Sequence, residues 1–357
     1  MKDDFHRIRK KILLTSEKIK KDNKSHYYYE MKLFCIILII IIYILIGKLN
    51  EVLYLNKLQK VLKNEEDIEL FLSNKTEYYF QKRKNYLKHF NYLYDESKLI
   101  TLQDKNNYLL IHECPEYKTN YVDKIKIHDV SKKILGKDIC PPILKIYNNI
   151  KDINLDDLPD KFVLKCNHGS GMNIICKNKL KFNFEEAKNK LTKWMNINYG
   201  TSRTEFQYNF IERKIFLAPY LGDKIIDYEI YCFNGQPKFV RVRKLIDEQK
   251  HITLHNYYDL DWKLNDIDSG LFNYKRDPNM KIEKPKHFDL MIYYSKKLSK
   301  DFVFVRIDFY EINNIVYLSE ITFSPSNTLN RYKNKEQSKY LGDMLDITKI
   351  KSSLFNK

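Results

Sequence analysis

The run VLKCNHGSGM, Val163 to Met172, decides how the rest of the chain is read. Val163 and Leu164 lead into Lys165, and the text then breaks into a Gly169-Ser170-Gly171 turn. The whole chain of 357 residues holds nine glycines, and two of them stand here within three positions. A strand that ends in lysine and opens into such a turn can set backbone N–H groups around an anion. Glycine lets the backbone approach a phosphate closely, and the lysine adds a point charge. An ordinary hairpin turn with a solvated lysine satisfies the same letters. The G-x-x-x-x-G-K-[ST] spacing of a Walker A loop is absent.

Outward from this run, strand and helix patterns alternate. KFVLKC reads as a strand and IICK, after the turn, as its partner. FEEAKNKLTKWM is an amphipathic helix, KIFLAPYL a strand ending at Pro219, and PKHFDLMIYYSKKLSK a second helix. IIDYEIYCFNGQPKFVRVRK reads as two strands around Asn234-Gly235, a strong hairpin signal. FVFVRIDFYEINNIVYLSEITF forms a second hairpin turning near Asn313-Asn314. Antiparallel hairpins separated by helices indicate an α+β fold.

The second hairpin carries charge on a strand that is otherwise apolar. Alternate strand residues share a face, so Arg306 and Asp308 point one way and Val305, Ile307 and Phe309 the other. Glu320 and Thr322 share a face of the returning strand. Asp308 and Glu320 join on one face only if the connecting loop has an odd number of residues; a two-residue turn would oppose them. Two carboxylates and an arginine on one sheet face suit Mg²⁺ and phosphate. A surface salt-bridge cluster is the plainer alternative.

In this order, FVLKCNHGSG followed by FVRIDFY and EITFSP resembles the ATP-grasp fold, and more narrowly the TupA-like ATP-grasp family of surface-polysaccharide biosynthesis. The resemblance runs over roughly residues 115–345 and includes DKIKIHDVSKKILGKDICPP, DYEIYCFNGQPKFV and YYDLDW. It implies two α+β subdomains whose antiparallel sheets clasp ATP. It implies that Lys165, and Lys124 in DKIKI, hold ATP phosphates, with the loop from His168 to Asn173, including Gly169, Ser170 and Gly171, closing over them. The backbone from Ala218 to Leu221, with Tyr220, would read adenine, and Asp227 would contact ribose. Asp308, Glu320 and Thr322 would hold Mg²⁺, and Arg306 would stabilise the transition state. His168 is assigned to the reacting centre beside Arg306; bonding to backbone as a loop cap is its other reading. Two departures stand out: Ala218-Pro219 replaces the usual acidic hinge and lacks one N–H, and Thr322 stands where many relatives have an asparagine ligand.

The implied chemistry is ATP-dependent ligation of a carboxylate to an amine through an acyl phosphate, the amine or the acid belonging to a polysaccharide or sugar intermediate. Such chemistry needs positioning and charge neutralisation rather than a protein nucleophile. Asp259-Leu260-Asp261 supports a rival, a polysaccharide-linked glycosyltransferase that holds a nucleotide-sugar through a divalent cation. A plain turn explains the same three residues. A third reading is an inactive, membrane-tethered nucleotide-binding domain, consistent with the altered hinge and Thr322.

The net charge of +17 suggests nucleic acid, but arginine supplies 10 of the 63 basic residues and the charges are scattered. Nucleic-acid binders cluster theirs, so that partner is excluded. Six cysteines without a C-x-x-C pair read as buried free thiols in a reducing compartment. Residues 1–32 form a basic tail. Residues 33–47, LFCIILIIIIYILIG, form an uncharged run flanked by Lys32 and Lys48. Fifteen helical residues span ~22 Å, short of the ~30 Å hydrocarbon core, and lysines can snorkel to extend it. The run is expected to anchor the chain in a membrane, with the catalytic part facing the cytoplasm, where ATP is. Residues 48–110 read as a charged, Tyr-rich helical connector, and the ATP-grasp catalytic domain is expected over 111–357.

Overall fold

The computed structural model describes residues 86–90, 94–112, 115–223, 225–247, 252–270, 274–280 and 282–349. The expected tail, the apolar run 33–47 and most of the connector lie outside these residues. Among the described residues, no helix is long and apolar enough to cross a membrane. The chain divides into two units at Asp95 and Glu96. In the first, residues 86–90 are helical, and Tyr86 and Tyr94 are buried with ring centroids 5.4 Å apart.

The second unit holds two antiparallel sheets. Sheet A has the order β1-β4-β2-β3, from β1 (Lys145–Tyr147), β2 (Phe162–Cys166), β3 (Asn173–Cys176) and β4 (Ile215–Pro219). Sheet B has the order β11-β10-β5-β6-β7-β8. Its strands are β5 (Ile226–Phe233), β6 (Gln236–Asp247), β7 (Ile252–Tyr258), β8 (Leu264–Asn265), β9 (Tyr274–Arg276), β10 (Phe304–Ile312) and β11 (Ile315–Thr322). Strand β9 lies off that path and pairs with β7 in parallel. The helices are α1 (Leu102–His112), α2 (Pro115–Val122), α3 (Ile127–Leu135), α4 (Phe184–Asn196), α5 (Tyr199–Arg203), α6 (Phe288–Ser299) and α7 (Lys335–Asp343).

Both hairpins read from sequence form. Asn234-Gly235 and Asn313-Asn314 all adopt positive φ, as the two-residue turns matching strand twist require. Alternation then sorts each strand. Ile230, Val240, Val242, Val305, Ile307 and Phe309 face α6, whose Phe288, Met291 and Leu298 complete the largest core. The opposite face of sheet B is apolar at one end, where Tyr231, Phe233, Phe239, Tyr257 and Phe304 pack with Leu102, Leu109 and Leu341 of α1 and α7. Helix α1 thus belongs to this core although it precedes residue 111. In sheet A, Phe162, Leu164, Ile215 and Leu217 pack on Leu191 and Trp194 of α4. Asn183 caps α4, its side chain accepting from Glu186 N at 3.0 Å.

Candidate active site

Lys165 leaves the face of β2 opposite the α4 core. It shares that face with Val163, and their register partners on β4 are Phe216 and Ala218. Burial lowers the Lys165 ammonium pKa and so does the Lys124 charge, while Glu320 and Asp227 oppose the shift. Its electrostatic neighbours therefore come from sheet B and from the turn between α2 and α3. The two glycines after it have separate causes. A Cβ on Gly169 would lie 2.8 Å from the Tyr199 ring and 2.9 Å from the Met172 sulfur. Gly171 has open space but a φ of +73°, which L side chains rarely adopt.

Asn167 fastens the loop. Its Nδ2 donates to Asp123 Oδ1 and to Glu212 O, both at 3.0 Å, and its Oδ1 accepts from Lys214 N at 2.8 Å. Asp123 also accepts from Ile125 N at 2.8 Å and so sets the turn carrying Lys124. Lys124 Nζ donates to Gly169 O at 2.7 Å and lies 3.6 Å from Glu320 Oε1. It joins the glycine loop to sheet B. Ser170 is exposed at the loop tip.

His168, expected at the reacting centre, takes its other reading. It is buried, its Nε2 lies 3.1 Å from Trp194 O near the end of α4, and burial lowers its pKa. It anchors the loop as a neutral ring.

On sheet B, Tyr257, Arg241, Glu229, Asp308 and Glu320 are successive register partners across five strands. Asp308 and Glu320 are paired although the hairpin turn has two residues, the case expected to oppose them. A bulge corrects the parity: Phe309 pairs with Leu318 but Asp308 with Glu320, leaving Ser319 as the extra residue. Arg306 forks onto Asp308, Nε to Oδ1 at 2.7 Å and Nη2 to Oδ2 at 2.5 Å. Its Nη2 also donates to Thr322 Oγ1 at 3.3 Å, so the Thr322 hydroxyl already serves the arginine.

Glu229 was not singled out in the sequence; its alternation with Asp227 on a strand facing Arg241 and Arg243 was the available signal. It is fully buried. Arg241 Nε bonds its Oε2, Arg243 Nε lies 2.6 Å from Oε1, and Arg306 Nη1 lies 4.0 Å away. Burial opposes its ionisation, but the three arginines outweigh that and hold the carboxyl well below the usual range. Asp227 pairs with Arg243 at 3.1 Å, yet burial raises its pKa. Tyr220 and Leu221 follow β4 at the end of sheet A. Asp259 and Asp261 stand apart, in the β7–β8 turn, three strands from Asp308. Asp259 Oδ1 accepts from Asp261 N at 3.0 Å and Lys263 N at 2.8 Å, the contacts of a turn residue.

Asp308 and Glu320 offer hard oxygen donors side by side. The Asp308 carboxyl is pushed up to about 7, by burial first and by Glu229 and Glu320, against Arg306. A divalent cation beside these two carboxylates would favour their ionised forms; the hard oxygen donor set fits Mg²⁺.

The family model described as TupA-like ATPgrasp matches residues 101–346. Among solved structures the chain is similar to a D-alanine–D-alanine ligase from Bacillus anthracis complexed with ATP, at 17% identity and TM-score 0.35 over 72% of this chain and 75% of that one. It is similar to an L-amino acid ligase from Bacillus licheniformis at 10% identity and TM-score 0.39, over 75% and 57%. An N5-carboxyaminoimidazole synthetase from Staphylococcus aureus complexed with ADP follows at 12% and 0.35, over 61% and 48%. Comparison with curated proteins finds no match.

Proposed function

This chain belongs to the TupA-like ATPgrasp family, and from that premise we propose that it is an ATP-dependent ligase that joins a carboxylate to an amine on a polysaccharide or sugar intermediate through an acyl phosphate. The observation that carries the reading is the meeting of the two sheets at Lys124, which touches Gly169 O and Glu320 together. Lys165 and Lys124 would hold the phosphates of ATP, and the backbone of Gly169, Ser170 and Gly171 would close over them. Adenine would lie on Val163 and Ala218, read by the backbone at Tyr220 and Leu221, with Asp227 at the ribose. Asp308 and Glu320 would hold Mg²⁺, which when bound neutralises charge on the phosphate oxygens.

A substrate carboxylate oxygen forms a bond to the γ-phosphorus as the bond to ADP breaks. The amine nitrogen then bonds to the acyl carbon, phosphate leaves, and the amine proton goes to solvent. Arg306 would stabilise charge on the transferring group; its guanidinium is held in one orientation by Asp308, Glu229 and Thr322, which supports that role. Intact Lys165, Arg306, Asp308 and Glu320 favour an active enzyme over an inactive scaffold. Residues 33–47 would anchor it to a membrane, with residues 48–357 in the cytoplasm.

The test is ADP release with Mg²⁺. Asp308→Asn and Glu320→Gln should abolish it with the fold retained, and Lys165→Ala should weaken ATP binding. Tight UDP-sugar binding that depends on Asp259 and Asp261 would replace the ligase with the glycosyltransferase. Protease outside intact cells should spare the C-terminal unit, and deleting residues 1–47 should release the protein from membranes.

A further inference from the structure

Three metal-ligating side chains meet where the chain leaving α3 folds back on that helix. One ligand atom each from His128, Asp138 and Cys140 lies within 4.8 Å of the other two. Ile127, Val130, Ile139 and Cys140 pack into the core on the α6 side of sheet B, so the group stands on the face opposite the charged row. Gly136 caps α3, its N–H donating to Lys132 O at 3.0 Å, and the chain returns along the helix. Ser131 fixes that return: its Oγ donates to Lys137 O at 3.0 Å and accepts from Ile139 N at 3.1 Å. All three side chains therefore come from one stretch of 128–140, held by bonds of its own.

His128 Nδ1 lies 2.8 Å from Asp138 Oδ2, and the buried Cys140 thiol is turned on the same carboxylate and on Ser131. A ring N–H and an S–H thus converge on one carboxylate, and a cation replacing those protons would sit among all three donors. Imidazole, carboxylate and thiolate together suit Zn²⁺, whereas Mg²⁺ takes oxygen ligands. Around a tetrahedral zinc with bonds of about 2.0–2.3 Å, ligand atoms stand about 3.3–3.7 Å apart. The His128–Asp138 pair would open by about half an ångström, and the widest separation would close by about 1 Å. Asp138 Oδ1 accepts from Cys140 N at 3.0 Å, which orients both ligands beforehand. Burial opposes ionisation of Asp138, but the bonds from His128 and Cys140 N outweigh it and lower its pKa. Burial, and then Asp138, raises the pKa of the thiol, so the sulfur keeps its proton until a metal displaces it. Asp138 is exposed and gives an ion its path from solvent. Lys132 Nζ, 3.9 Å from Asp138 Oδ2, is 61% exposed and can swing outward.

We infer that His128, Asp138 and Cys140 bind Zn²⁺, with water as fourth ligand, and that the ion fastens the segment after α3 to the edge of sheet B. The link is short: Ile139, between two of the ligands, accepts at its carbonyl from Leu318 N at 2.8 Å, and β11 is an edge strand. On binding, the thiol proton goes to solvent and His128 keeps its proton at Nε2. The full chain, stripped with EDTA, is titrated with Co²⁺ as a spectroscopic probe and then with Zn²⁺. Co²⁺ should give a thiolate charge-transfer absorption that Zn²⁺ bleaches and Mg²⁺ does not. Cys140→Ser should remove that absorption, and His128→Ala should weaken Zn²⁺ binding at least about a hundredfold. Ser131→Ala, which leaves the ligands in place, should weaken it about tenfold. Zn²⁺ should also slow hydrogen exchange at the Leu318 N–H in the parent and not in His128→Ala. Absorption that survives Cys140→Ser would put the metal on another cysteine. If Cys140→Ser does not fold, unchanged Zn²⁺ binding in His128→Ala, at a half-buried position, decides the same point. Zn²⁺ binding that Mg²⁺ competes away would put the ion on Asp308 and Glu320. Each of these results overturns the inference, as does Leu318 exchange that ignores zinc.

Discussion

Replacing Glu229 by glutamine should cost more stability than any other single removal of charge in the cleft. The carboxylate is buried between Arg241, Arg243 and Arg306, with Arg243 at 2.6 Å and Arg306 at 4.0 Å. At an effective dielectric near 20, those two contacts are worth about 6 and about 4 kcal/mol before desolvation. Burial of the four charges offsets most of that, and breaking one partner of a buried pair costs about 3–5 kcal/mol, because the remaining charges lose their compensation. Glu229→Gln keeps shape and volume, so the loss is electrostatic. Urea unfolding of the full chain, followed by far-UV circular dichroism, reads it as a lower midpoint at unchanged slope. Adding Arg241→Met should return part of the loss, since one uncompensated cation is then gone, and the double-mutant cycle should give a coupling above about 1 kcal/mol. A loss under about 1 kcal/mol, or strict additivity with Arg241→Met, would refute the picture of a carboxylate that holds three arginines. Because its folded pKa is depressed, Glu229 stabilises above the ordinary carboxylate pKa, and that contribution fades as pH falls towards its folded value.

Three further outcomes follow from other residues. His255 is pushed down to about 4, by burial first and by Arg241, so it resists the proton that the unfolded chain accepts. Its share of stability, about 3 kcal/mol, should be lost as pH falls from 6.5 to 4, and His255→Gln should flatten that slope in pH-dependent unfolding. Inserting one alanine after Ser319 should turn Glu320 to the opposite face and abolish Mg²⁺-dependent ADP release, whereas deleting Ser319 leaves Glu320 next in line opposite Asp308 and should preserve it. Gly171→Ala should cost about 1 kcal/mol by differential unfolding, through strain at φ +73° alone, since nothing lies within 4 Å of the added carbon.

Much of the frame was legible in the sequence because its signals are local. Asn234-Gly235 and Asn313-Asn314 suit left-handed turns wherever they occur, and alternation sorts Arg306 and Asp308 from Val305 and Ile307 without knowledge of a partner strand. The lysine–glycine turn at Lys165 needed nothing distant either. Tertiary structure alone decided the rest. Parity counted along the hairpin opposed Glu320 to Asp308, and a bulge at Ser319, which depends on how two strands settle against a third, reversed it. His168 looked like a reacting group until packing set its ring against the end of α4. Glu229 carries no motif. Its weight comes from three arginines on two other strands, and long-range charge of that kind exists only once the sheet has formed.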